Sequence, residues 1–508
     1  MKSKLITSIK VSSKKKTLNS NTVAISKNAT TTNGAKTWSG TGLKVLDLFA
    51  LGGALRGRVD EDVISLFKTA FADSPELAMK WLFYVRDVRG GSGERKVFRT
   101  CLKWLANNHP GVVKNNLHLI PVYGRWDDLF VLVGTGLEND AFSAVAMQLS
   151  ADMEQEDTTK LSLCSKWAPS VNTSSQETVK LAKKFIKFIG TTEKKYRKAL
   201  SHLRSRIAIV EKKMSQNEWT TIQYDKIPSK AGLLYKNAFK RHDIAGYSAF
   251  LSAVASGEKK INAGTLYPYE FPRELETKGY SLSESDKTAM DLMWKALPNY
   301  VNSGDNALVL ADVSGSMSMT YGTSTVKPIW VSVSLAIYFA QKNTGKFKDN
   351  FLVFDSTAQL AEIKSKNFID AYNEVRRSTS WCGSTNLQSA FDVILNTAVA
   401  NDISEAEMPK KIIIVSDMQF DEAIGDNTNF EVIQKKYASH GYKMPGIVFW
   451  NVNAINNTSP VTFNQTGVAM VSGASPSAFK FVCDGTIQTP LDMMLKVLLS
   501  DRYSDVTA

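Results

Sequence analysis

After Asn302 the chain alternates five short apolar runs with segments of helix length, and no other feature restricts its fold as tightly. The runs are "ALVLA" (307–311), "NFLVF" (350–354), "KKIIIVS" (410–416), "PGIVFWNV" (445–452) and "GVAMVSG" (467–473). Between most of them lie "VKPIWVSVSLAIYFAQKN", "NLQSAFDVILNTAVA" and "NFEVIQKKYASHG". Short continuous apolar runs read as buried strands, and strands alternating with helices build a doubly wound, mostly parallel sheet. Ligands of such sheets sit beyond the carboxyl ends of the strands. The residues that fall there belong to "ADVSGS" and "SDMQFD".

Those two pieces are rich in hard oxygen. Asp312, Ser314 and Ser316 stand at alternate positions directly after a strand, and Asp417 follows another. A third piece, "WCGSTNLQSAF", places Thr385 just before a helix, and it is the family resemblance named below that joins it to the other four. Two carboxylates and three hydroxyls suit Mg²⁺ or Mn²⁺ better than zinc or copper. The competing reading is a Ser-rich turn that caps a helix, with Asp417 an ordinary strand-end acid. Asp355 and Asp421 read as caps or solvated acids.

Residues 45–300 have a different texture. "EDVISLFKTAFA", "SPELAMKWLFYVRDV", "ERKVFRTCLKWLANNH" and "TVKLAKKFIKFIG" carry apolar residues at three- and four-residue intervals, the period of amphipathic helices. Many helices with short connectors predict a stack of helix pairs, a solenoid or ring of HEAT-like type. Residues 1–40 are Ser, Thr, Asn and Lys with few large apolar groups, which predicts a disordered basic tail. The expected division is therefore 1–40 tail, 41–300 helical domain and 301–508 α/β domain.

Charge follows the same division. The net charge is +13. Residues 1–300 hold 46 Lys and Arg against 29 Asp and Glu, and the remainder holds 16 against 20. A basic first part points to a polyanion. Residues 160–270 alone hold 21 basic against 8 acidic residues. On one continuous helix Arg197, Arg204 and Lys212 fall on one face, with Lys198, His202 and Arg206 beside it. Lys226, Lys230, Lys240, Arg241 and His242 surround the loops that follow. Tyr196, Trp219, Tyr224 and Tyr235 offer rings on which unpaired bases stack. These eleven cationic or imidazole side chains are the candidate RNA contacts.

Several classes are disfavoured. "RGGSGERK" (89–96) has the glycines of a phosphate loop but lacks the GxxxxGK[ST] frame. It reads as a tight turn between helices, with Arg86, Arg89 and Arg95 at its rim. Asp127 and Asp128 in "YGRWDDL" read as an N-cap and first-turn charge. Ser165 and Ser170 lack a nucleophile-elbow frame. No nucleophile, base and orienting partner occur together, so a non-catalytic role is expected. Cys101, Cys164, Cys382 and Cys483 are widely spaced with no zinc pattern. Free thiols, no apolar leader and no membrane-length apolar run point to an intracellular, cytoplasmic protein without membrane contact.

The DxSxS sequence at Asp312, Ser314 and Ser316, with Thr385 and Asp417, resembles the metal-ion-dependent adhesion site of von Willebrand factor A domains. The resemblance implies a cation held by Ser314, Ser316 and Thr385, by Asp312 and Asp417 directly or through water, and an acidic group of a partner completing the shell. A helical part joined to such a domain resembles the TROVE module of the Ro ribonucleoprotein family. It is more similar still to an uncharacterised domain family of phages, plants and other eukaryotes, marked by "RDVRGGSGERKVFR", "YGRWDDLF", "CSKWAPS", "IPSKA" and "INAGTLYPYE". The Ro resemblance implies an RNA-binding scaffold that holds single-stranded ends or small structured RNA. A metal-dependent protein-interaction or assembly module without RNA is the alternative.

Overall fold

The computed structural model describes residues 14, 15, 18, 22–207, 209–279, 282–301, 306–344, 347–354, 358–381, 383, 385–422, 428–483 and 487–508. Asp355, Cys382 and most of residues 1–21 lie outside the described residues. The chain forms two compact units that cross the expected boundaries. One comprises residues 1–97 and 263–505, the other 98–262 and 506–508.

The first unit is built on a six-stranded sheet. Its strands are β3 (Ala307–Asp312), β4 (Asn350–Phe354), β5 (Ala358–Glu362), β6 (Lys411–Ser416), β7 (Gly446–Asn451) and β8 (Val468–Ser472), after a short hairpin of β1 (Ala29–Thr30) and β2 (Lys36–Thr37). The sheet order is β5-β4-β3-β6-β7-β8, parallel except for the β4–β5 pair at one edge. Side chains alternate between faces along a strand. Leu308, Leu310, Ile412, Ile414, Ile447 and Phe449 bury against the Leu387–Ala400 and Asn429–Ser439 helices on one face. The Pro328–Lys342 helix, apolar all round and buried from Pro328 to Ala340, lies on the other. Its Ser332 hydroxyl donates to the Val415 carbonyl (3.0 Å) and its Ser334 hydroxyl to the Val331 carbonyl (3.3 Å), so both buried serines are satisfied inside the core. Connections reverse direction between β3 and β6, and a crevice opens at such a switch point.

The N-terminal segment belongs to this unit. Residues 22–40, expected as part of a disordered tail, are hydrogen-bonded into it. Thr31, Ala35 and Thr37 are buried, and Ala35 and Ala50 join the sheet's apolar cluster. A polar segment cannot bury a core of its own, but it adds to one already formed. Trp38 and Ser459 exchange two backbone hydrogen bonds of 2.9 Å, which gives the segment partners no local pattern announces.

The helical half contributes to both units. Turn "RGGSGERK" joins the Pro75–Arg86 and Arg95–Asn108 helices, as expected. Gly91 leaves no room for a Cβ, which would sit 1.8 Å from the Tyr84 carbonyl oxygen, and Gly93 has φ +70°. Arg86 is buried rather than at the rim, whereas Arg89 and Arg95 are exposed. The Tyr267 hydroxyl donates to the Ser92 carbonyl (3.4 Å), so "INAGTLYPYE" and "RDVRGGSGERK" meet where the chain leaves and re-enters the first unit.

The second unit is helical throughout its described residues. Its longer helices are Glu138–Glu154, Gln176–Phe188, Glu193–Arg206, Ser229–His242 and Ile244–Ala255. Phe142, Phe185 and Tyr196 link the first three, with ring centroids 5.3 and 5.8 Å apart. Asp128 is buried and closes a capping box with Arg125, and Asp127 pairs with both Arg99 and Arg125. The first-turn charge expected for "YGRWDDL" is present, but the N-cap position belongs to Arg125 rather than to an Asp. Arg125 also lies 3.9 Å over the Trp167 ring, so "YGRWDDLF" and "CSKWAPS" are packing partners. No helix among the described residues is long and apolar enough to cross a membrane. Cys101, Cys164 and Cys483 are buried.

Candidate cation site and basic helical surface

The candidate cation site lies at the carboxyl ends of β3 and β6, the two strands that flank the switch point. Asp312 is the last residue of β3, and Asp417 directly follows β6. Asp312, Ser314, Thr385 and Asp417 are all buried. The first loop folds back on its own acid, because the Ser314 amide donates to Asp312 Oδ1 (2.9 Å). Ser314 and Ser316 present their hydroxyls side by side, 3.4 Å apart. The first and second loops are joined by the Gly315 amide, which donates to the Gly383 carbonyl (2.9 Å). The second and third are joined by the Asp421 amide, which donates to the Thr385 carbonyl (2.9 Å). All five residues singled out in the sequence therefore come from three loops tied to one another.

Burial shapes the electrostatics of the two acids. Burial raises the pKa of Asp312, and the nearby Asp417 charge raises it further; hydrogen bonds from Ser314 and Ser416 act against both. Burial raises Asp417 as well, opposed by the Ser316 hydroxyl and the Gln419 amide. Two adjacent carboxylates out of water repel each other unless a proton or a cation lies between them. Thr385 Oγ1 and Asp417 Oδ2 are buried and find no hydrogen-bond partner among the described residues. Orphaned oxygens of this kind are costly, and each needs an explanation. The donor set, two carboxylates and three hydroxyls, is of the kind that fits a hard divalent cation.

Three participants went unnoticed in the sequence. Ser416 donates to Asp312 Oδ2 and accepts from the Met418 amide (3.0 Å). Met418 adopts φ +63°, a left-handed conformation unusual for a residue with a side chain. Gln419 is buried and donates to the Asp417 carbonyl through Nε2 (3.2 Å). "SDMQFD" holds all three, but nothing in its spacing distinguishes them from ordinary loop residues. Asp421, expected as a cap or solvated acid, contributes its backbone to the loop junction.

On the second unit the expected stripe is broken. The helix that carries Arg197, Lys198, His202, Arg204 and Arg206 ends at Arg206, and Lys212 lies on a separate helix, Val210–Ser215. Arg204 spends its guanidinium on the Ser165 and Ala168 carbonyls and the Ser170 hydroxyl, at 2.8, 3.0 and 2.8 Å. Arg206 caps the end of the Glu138–Glu154 helix through the carbonyls of Asp152, Gln155 and Glu156. Both are half-buried and clamp neighbouring segments, because a guanidinium's fixed fork of donors satisfies several carbonyls at once. Arg197, Lys198, His202, Lys226, Lys230, Arg241 and His242 are exposed; Lys212 and Lys240 are half-buried. Tyr196 and Tyr224 are core residues whose hydroxyls bond Pro169 and Asp243. Tyr235 donates to Glu211 (3.3 Å). Trp219 and His242 stack face to face, 4.3 Å between centroids. Residues 98–262 hold 25 basic and 15 acidic residues, so most of the net charge resides on this unit.

Residues 306–498 match the model of a domain of unknown function, DUF7788, and residues 31–146 and 174–304 match another, DUF2828. The chain is 28% identical over 511 residues to an uncharacterised protein of Acanthamoeba polyphaga mimivirus, covering 92% of this chain and 86% of the viral one. Among solved structures it is similar to the Ro (RSR) protein of Deinococcus radiodurans, with 13% identity and a TM-score of 0.37, over 90% of this chain and 93% of that one.

Proposed function

We propose that the chain is a non-catalytic binding scaffold. Its α/β unit holds Mg²⁺ or Mn²⁺ in the manner of a von Willebrand A domain, and its basic helical unit binds RNA as single-stranded ends or small structured molecules. The carrying observation is the convergence of Asp312, Ser314, Ser316, Thr385 and Asp417 with two buried oxygens left unsatisfied. These five residues would hold the cation, which when bound supplies a Lewis-acidic position for an acidic group of a partner. Asp312 and Asp417 neutralise its charge, and the three hydroxyls leave it electrophilic enough to take a further carboxylate. The cationic surface supplies phosphate contacts, and the Trp219–His242 stack offers a flat ring face to an unpaired base.

The test has two arms. Thermal melting of the full chain should rise with added Mg²⁺ or Mn²⁺, and Asp312→Ala should remove the rise. Affinity for a single-stranded RNA should fall steeply with salt, with a slope of about −0.7 per neutralised phosphate. No cation effect on melting removes the first half of the proposal; a flat salt dependence removes the second.

A second reading, a cation-dependent protein-interaction or assembly module without RNA, is favoured by the consumption of Arg204 and Arg206 inside the fold. It expects partner binding abolished by a chelator and no measurable RNA affinity.

A further inference from the structure

The N-terminal hairpin reaches the candidate cation site. Its tip, Thr31 to Ala35, turns at Gly34, whose φ of +90° suits glycine. The tip is closed on itself by the Thr31 amide to the Ala35 carbonyl (2.9 Å) and the Ala35 amide to the Thr31 hydroxyl (3.0 Å). From this closed turn three hydrogen bonds run outward to the loop behind Asp417. Thr31 Oγ1 donates to the Phe420 carbonyl (2.7 Å), the Thr32 amide to Gln419 Oε1 (2.8 Å), and Asn33 Nδ2 to the Gln419 carbonyl (2.7 Å).

Gln419 passes this grip on to the site. Its amide donates to Asp417 Oδ1 and its Nε2 to the Asp417 carbonyl, each at 3.2 Å. Two residues on, the Asp421 amide holds Thr385 through its carbonyl (2.9 Å). The residue between Asp417 and Gln419 is Met418, at φ +63°. A side-chain-bearing residue keeps such a conformation only where its surroundings over-determine it. Met418 lines a small cavity together with Thr31, Ala35 and Thr37 of the hairpin. The two residues that own the orphaned oxygens, Asp417 and Thr385, are thus both bonded to the segment that the hairpin clasps.

We propose that Gln419 is a positioning residue through which the N-terminal hairpin sets Asp417 and Thr385, so that hairpin docking and cation occupancy are thermodynamically linked. The proposal rests on the cation reading above and adds a control element to it. Linkage is reciprocal: a docked hairpin tightens cation binding, and a bound cation tightens hairpin docking by the same factor.

The test uses the full chain and Mn²⁺ alone as the probe. Mn²⁺ affinity is measured for the native protein, for Asn33→Ala, whose side chain is exposed at the tip, and for Thr31→Val. Amide hydrogen exchange across residues 30–38 of the native protein is followed with and without Mn²⁺. The expected result is an affinity loss of about tenfold in the variants and a matching slowing of hairpin exchange when Mn²⁺ is present, a response that a merely structural hairpin would not give. Native binding with unchanged affinity in both variants, and hairpin exchange indifferent to Mn²⁺, overturns the linkage and leaves the cation site standing. Absence of Mn²⁺ binding by the native protein overturns both. Because the exchange arm needs no substitution, a variant that fails to fold does not shelter the proposal.

Discussion

Asp312 and Asp417 lie close enough for one charge to raise the other's pKa, and both are buried. An acid whose pKa is raised on folding keeps its proton longer in the folded chain than in the unfolded one. Its favourable contribution is complete below the ordinary carboxylate range and is lost as pH rises through the raised value. For Asp312 that value is pushed up to about 7. The cation-free protein is therefore expected to lose part of its stability between about pH 4 and pH 7. A bound cation requires the ionised carboxylates, so the rise in melting temperature on adding Mg²⁺ should be larger at pH 8 than at pH 5.5. Melting curves at the two pH values check this, and Asp312→Asn should flatten the cation-free pH dependence. At this scale Asp312, Ser314 and Ser316 stood out by their alternate spacing after a strand, a local pattern, and Thr385 and Asp417 joined them through the resemblance to von Willebrand A domains. Ser416, Met418 and Gln419 did not stand out, since their roles rest on which oxygen each faces.

Among the elements, the Glu193–Arg206 helix shows why a basic stripe need not be a binding stripe. Its sequence displays cations at helical spacing, but two of the arginines bond carbonyls of neighbouring segments. Arg204→Ala strips the Ser165 and Ala168 carbonyls and the Ser170 hydroxyl of their donor and should cost about 2 kcal/mol or more of stability. Arg241→Ala, at an exposed position, should cost less than about 0.5 kcal/mol while lowering the salt slope of RNA binding by about 0.7. Denaturant melts and salt titrations on the two variants separate the roles. An Arg204→Ala protein of native stability would contradict its part as a clamp. The hairpin of β1 and β2 is the opposite lesson: polar, short and unremarkable in sequence, it gains order from an element more than 380 residues away, as the Thr31–Phe420 bond illustrates.

At the scale of the whole chain, the α/β unit is discontinuous. Its sheet lacks a complete cover without the N-terminal segments, since Ala35 and Ala50 lie in its core and Trp294 packs on Phe368, 4.3 Å between rings. Residues 301–508 alone are therefore expected to aggregate or to lack cooperative melting. A chain of residues 22–97 joined to 263–505 by a short flexible linker should melt cooperatively, because Ser92 and Tyr267 already touch. Calorimetry on the two chains distinguishes them. Cooperative melting of 301–508 by itself would show that the N-terminal segments are accessories rather than part of the core.

By itself the sequence determined the alternation of strands and helices, the placing of hydroxyls and acids at strand ends, the helical texture of residues 45–300 and the caps and turns between helices. Each of these is a short-range pattern, set by periodicities of two and three to four residues and by backbone conformations open only to particular side chains. Tertiary structure alone decided that residues 22–40 are hydrogen-bonded into the α/β unit, that Arg204 and Arg206 hold neighbouring segments, and that the loops of the proposed cation site are clasped by a hairpin from the far end of the chain. The physical reason is common to all three. A polar group is satisfied by whichever partner folding brings within about 3 Å, and for these groups that partner lies tens to hundreds of residues away, where no local pattern records it.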